Sequence, residues 1–132
     1  MLRIVAGAVA GVVVWCVVVT ILNFGLRFGW HDYAAVEKAM TFTVPMMVAR
    51  LTESGIASII GGMAAASIGR DRMRPALLAG IILFIPFAYW HYFVLWAKFP
   101  LWYHLTFLTS LVVLSVVGGH LVRVRRRIFQ AA

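Results

Sequence analysis

Four long runs of apolar residues, separated by short polar breaks, dominate the chain. They predict helices over about residues 4–26, 43–69, 76–97 and 101–122, each near or above the roughly 20 residues that cross a ~30 Å hydrocarbon layer. Lipid leaves such segments no choice but helix, because a backbone group left unpaired in hydrocarbon is too costly. The polar breaks act as punctuation. Arg70-Asp71-Arg72-Met73-Arg74-Pro75 is a charged turn whose proline suits the first turn of the next helix, and Lys98-Phe99-Pro100 repeats the device. The longer break at 27–42 carries Trp30, His31, Asp32, Tyr33, Glu37 and Lys38. The expected fold class is an all-α membrane protein, a single four-transmembrane-helix bundle over residues 1–132.

Composition agrees. The 132 residues are 64% hydrophobic and 12% charged, against about half and a quarter in soluble domains. Four spans leave no room for a separate soluble domain. The N-terminus, with Arg3 ahead of an apolar stretch, resembles a secretory signal, but the run is too long for a signal core and no small-x-small cleavage site follows it. It reads as a retained first helix. Cys16 lies inside that run, has no second cysteine to pair with, and reads as a small buried hydrophobe.

Charge fixes the expected orientation. Alternate ends of the four helices place Arg3, Arg70, Arg72, Arg74, Arg123, Arg125, Arg126 and Arg127 on one side and Arg27, Lys38 and Lys98 on the other. Basic residues near helix ends stay in the cytoplasm, so both termini are expected there, in a bacterial inner membrane. Trp30, Tyr33, Trp96, Phe99, Trp102 and Tyr103 crowd the opposite ends, as an aromatic belt at the outer headgroups would. The net charge of +8 is gathered in clusters beside apolar spans rather than on an amphipathic face, so the expected partner is the bilayer and its anionic lipids, not nucleic acid. The seven arginines from Arg70 to Arg74 and from Arg123 to Arg127 are the expected headgroup contacts.

Small residues predict close helix approach. Gly7 and Gly11 form a GxxxG pair, and Ser54, Ser58, Gly62 and Ala66 form a four-spaced stripe; the sequence leaves open whether these faces meet within one chain or between copies. Ser58-Ile59-Ile60-Gly61-Gly62 is echoed by Ser115-Val116-Val117-Gly118-Gly119, two helices later.

Chemistry is concentrated in few residues. Arg50 and Glu53 are ionisable groups within the second span, where such groups are costly and mark function by default. Counting at ~1.5 Å per residue from Arg70 puts Arg50 roughly 30 Å away, near the outer boundary, and Glu53 one turn deeper. Arg50 is expected to snorkel outward, and the three-residue spacing also allows an internal ion pair with Glu53. His91 lies at a depth similar to Glu53 and His104 slightly nearer the outer surface, so Arg50, Glu53, His91 and His104 form a candidate intramembrane polar site, with Tyr89 and His31 near enough to join. Pro86 is expected to bend the third helix and open space just inside His91. A carboxylate with imidazole can relay protons, two imidazoles such as His91 and His104 can ligate haem iron, and His with Glu can hold a metal; no spacing singles out one cofactor. Asn23 can pair across helices, and His120 belongs at the inner headgroups. Hydrolysis has no serine or cysteine nucleophile with a base evidently beside it.

The expected role is a structural or accessory membrane component acting through partners or as an oligomer. The alternatives are a proton- or cation-linked transporter or channel, as a homodimer, and a membrane haem or metal protein.

Overall fold

Each apolar run becomes a helix, and all regular structure among the described residues is helical. The structure, a computed structural model, describes residues 1–69 and 73–131, and of residues 126, 127, 130 and 131 the backbone alone. Arg70, Arg72 and the side chains of Arg126 and Arg127, expected at lipid headgroups, thus lie outside the described residues. The elements are α1 (Leu2–Gly29), α2 (His31–Val36), α3 (Val44–Gly69), α4 (Arg74–Trp90, continued by a π-helical turn His91–Leu95) and α5 (Leu101–Ala131). The four long helices are each long and apolar enough to cross a membrane.

Two bounds differ from expectation. The fourth long helix continues to Ala131 rather than stopping near 122, because neither proline nor glycine follows Gly119 and arginine is a good helix former. The 27–42 break contains a short helix of its own. Trp30, in an extended conformation, ends α1 and starts α2, and Met40 (φ 55°) takes the left-handed conformation before α3 begins.

Packing contacts set the topology. Gly7 approaches Gly69 and Gly11 approaches Gly61, so α1 and α3 run antiparallel, while Arg50 meets Tyr103 and, three turns further on, Gly62 approaches Ser115, so α3 and α5 run parallel. Antiparallel α4 and α5 are held by Gly80 against Val112. Within one chain, therefore, the GxxxG pair packs on Gly61, Ala65 and Gly69 of α3, and Gly62 of the small-residue stripe packs on Ser115 of α5. The echoed segments form the two sides of one crossing: a methyl at Gly62 would overlap the Ser115 carbonyl, and one at Gly118 the Ile59 carbonyl. A packed core of Ala8, Ala65, Ala76 and Ala79 completes this end of the bundle, to which both termini belong.

The other half is wider. Trp15, Leu83, Phe107 and Leu111 form its apolar floor, with Trp15 and Phe107 each meeting Phe87 edge to face. The Trp15 indole N–H donates to the Ser58 hydroxyl at 3.0 Å, and that hydroxyl donates to the Ser54 carbonyl at 2.8 Å. Large apolar side chains instead cover the outside: Val5, Val9, Val13, Val17 and Ile21 make an exposed stripe along α1. Cys16 is exposed on this lipid-like face rather than buried.

Candidate functional site

The wide half holds nearly every buried polar group whose chemistry is distinctive. α3 supplies Arg50 and Glu53, one turn apart, where the alanine and glycine packing of its other end has given way to larger side chains. Their partners come from α1, α2, α5 and the segment that follows α2. The Arg50 Nη1 donates to the Tyr33 hydroxyl at 2.7 Å and its Nε to the Tyr103 hydroxyl at 3.4 Å, and its guanidinium lies 4.8 Å from the centre of the Phe42 ring. Asn23 on α1 donates to the Tyr33 hydroxyl at 3.0 Å and to Glu53 Oε1 at 3.4 Å.

This arrangement corrects two expectations about Arg50. The guanidinium turns inward to two phenols rather than snorkelling, and those phenols, not Glu53, take its hydrogen bonds. A phenol lets the cation keep its charge without competing for it, and the fork of donors on arginine reaches two acceptors at once. Glu53 is left with one oxygen on Asn23 and the other, Oε2, buried without a hydrogen-bond partner among the described residues.

Tyr33, Phe99 and Tyr103, expected in an interfacial belt, are buried within the bundle, Tyr33 completely. Burial holds the Tyr33 phenol above its ordinary pKa, against the opposing pull of Arg50, so it remains protonated at neutral pH. The sequence did carry a signal for Tyr103: with Phe107, Leu111 and Ser115 it forms a four-spaced stripe, and all four are buried. Nothing local marks Tyr33, whose burial arises when α2 folds over the end of the bundle.

The histidines form a second cluster behind Tyr103. His91 Nδ1 and His104 Nδ1 are 2.8 Å apart, and His104 Nε2 is 3.2 Å from the Phe99 carbonyl. A carbonyl only accepts, so His104 Nε2 donates to it; with both rings neutral, His104 Nδ1 then accepts from His91 Nδ1–H, leaving His91 Nε2 with a free lone pair. His91 stacks against Phe107 and His104 against Trp96. Two imidazole nitrogens on opposite sides of a metal stand about 4 Å apart, twice the ~2.0 Å metal–nitrogen bond, so the observed separation is that of a hydrogen bond. No group of three or more His, Cys, Asp or Glu residues within reach of a metal occurs among the described residues.

The four candidate residues thus fall into two clusters, Arg50 with Glu53 and His91 with His104, joined through Tyr103, whose ring stacks on His91 and whose hydroxyl meets Arg50. Tyr89 and His31 do not join: Tyr89 is exposed against Phe93 and His31 is exposed at the start of α2. Five residues beyond Pro86, α4 loosens into the π-helical turn that begins at His91, a device common at functional sites. Phe87, next to the proline, faces a cavity of about 400 Å³. Trp15 and Phe107 line it deep in the bundle; Asn23, Arg50, Glu53 and Tyr103 line its wall, and the Arg27–Glu37 ion pair stands at its more exposed side.

At the opposite end Arg74 and Arg125 are exposed, Arg125 stacking on Phe129, and Arg123 keeps a buried Nε without a partner among the described residues. His120 is also exposed there.

These features define a helical bundle of membrane-crossing dimensions, closed at one end and hollow at the other. Comparison with protein families, with curated proteins and with solved structures found no match for this chain.

Proposed function

We propose that this is a multi-pass inner-membrane protein with both termini in the cytoplasm, acting as an accessory component through partners or as an oligomer rather than as a conduit by itself. The observation that carries this reading is the closed half of the bundle. Gly7 against Gly69, Gly62 against Ser115 and Gly118 against Ile59 bring backbones into direct contact, so α1, α3 and α5 are packed shut between the cavity and the basic end. The excess of arginine at that end supports the orientation, and on this reading Arg74, Arg123 and Arg125 meet anionic headgroups, each contributing about 1 kcal/mol. A reporter fused after Ala132 that is active only in the cytoplasm is the expected topology result. Native mass spectrometry of protein released gently from its own membrane is expected to find a co-purifying protein or a defined oligomer. A monomer that speeds solute flux in vesicles would overturn the accessory role.

A second reading, a proton- or cation-linked transporter, draws on the cavity and on the unpartnered oxygen of Glu53 within its wall. It requires a second copy or a rearrangement to complete the path. Flux in reconstituted vesicles that Glu53→Ala abolishes would favour it. A haem role requires His91 and His104 to part from their mutual hydrogen bond, and a purified sample without a Soret band would remove it.

A further inference from the structure

Arg50 and Glu53 are opposite charges one helical turn apart, yet neither satisfies the other. The guanidinium places two of its three nitrogens, Nε and Nη1, on phenols. The carboxylate has one oxygen on an amide and the other without a partner among the described residues, in a residue only 7% exposed. Tyr103 accepts from Arg50 and keeps a hydroxyl proton to give. The wall of the cavity therefore offers a donor set, Arg50 with Tyr103, and an acceptor, Glu53, side by side. The terminal torsion of a glutamate is soft, so a small rotation presents either oxygen to the cavity.

The charges of the lining cancel: Arg27 is paired with Glu37, and Arg50 balances Glu53. A purely anionic guest leaves Glu53 unsatisfied and facing a like charge, and a purely cationic one does the same to Arg50. Below the charges the lining is aromatic, with Trp15, Phe87 and Phe107. About 400 Å³ lies within the range of small-molecule sites.

We propose that this cavity binds a zwitterion with an apolar body, its primary ammonium on Glu53, its anionic oxygen on Arg50 and Tyr103, and its hydrocarbon against Trp15, Phe87 and Phe107. A free apolar amino acid and the ethanolamine headgroup of a phospholipid share this chemistry. Either source is compatible with an accessory role or with transport, so the proposal stands apart from both.

The test uses the full-length protein in detergent and measures binding of phenylalanine, lysophosphatidylethanolamine, lysophosphatidylcholine, dodecylamine and laurate by calorimetry. Binding of phenylalanine identifies a free zwitterion as the guest, and binding of lysophosphatidylethanolamine alone identifies a headgroup. In either case the choline analogue, whose quaternary nitrogen has no N–H for Glu53, and both singly charged amphiphiles are expected to bind about tenfold more weakly or worse. Glu53→Gln and Arg50→Gln are each expected to weaken the preferred guest by a similar factor, whereas Thr109→Ala, on the exposed face of α5, leaves it unchanged. Should either cavity variant fail to fold, the headgroup series on the unaltered protein still decides. Equal binding of ethanolamine and choline heads together with no binding of phenylalanine, no binding of any zwitterion, or unchanged binding by Glu53→Gln would overturn the proposal.

Discussion

The two halves of this bundle are built on opposite principles. Toward the termini, glycine, alanine and serine let backbones touch, and stability comes from close packing of atoms that are individually weakly attracted. Toward the other end, large aromatic rings hold the helices apart, and polar side chains from α1, α3, α4, α5 and the 30–43 segment hydrogen-bond across the gap, with Glu53 Oε2 left over among the described residues. The same helices pass through both halves, so side-chain size alone decides where the molecule is closed and where it is hollow. The lesson is that a cavity in a small bundle needs a clamp elsewhere on the same helices.

The contrast can be broken most strongly at the clamp. Gly62→Val places its added atoms on the Ser115 backbone, which cannot move aside as a flexible side chain can, and is expected to cost about 3 kcal/mol in detergent-micelle unfolding. A smaller loss is expected on the hollow side. Tyr33→Phe removes the acceptor shared by Asn23 and Arg50 and is expected to cost about 2 kcal/mol. Burial raises the folded-state pKa of this phenol, so its contribution is complete below the ordinary value of about 10 and is lost as the pH climbs through the raised value. A stability profile taken up to that range should show a decline that the substitution removes.

Glycine outside the clamp should behave in the reverse sense. At Gly25 a methyl meets nothing within 4 Å, so Gly25→Ala is expected to stabilise the protein by about 0.5–1 kcal/mol through helix propensity. If it destabilises as Gly62→Val does, the distinction between clamp and free helix fails. The smallest effect belongs to the ion pair at the cavity's exposed side. Arg27 and Glu37 have side chains 45% and 19% exposed, and Arg27→Gln is expected to change stability by less than about 0.5 kcal/mol, measured in the same unfolding titration.

Much of this was legible in the sequence, and for different reasons in different places. The four spans could be read because apolar length is a local property. The importance of Arg50, Glu53, His91 and His104 could be read because charged and imidazole groups are rare in such runs. Their grouping could not. Depth along a helix is a count of residues, but facing is a rotation of the whole helix, and it placed the histidines together behind Tyr103 while leaving Glu53 with Asn23.

By itself the sequence determined the helices, the charge asymmetry and the small-residue stripes, because each depends on neighbours in the chain. Only the tertiary structure decided that the echoed Ser58–Gly62 and Ser115–Gly119 segments are two sides of one crossing. It also decided that Arg50 turns inward and that Tyr33 and Tyr103 are buried partners rather than interfacial anchors. The physical reason is that a buried polar group is satisfied by whatever donor or acceptor lies within about 3 Å. That distance is set by packing between helices far apart in the chain.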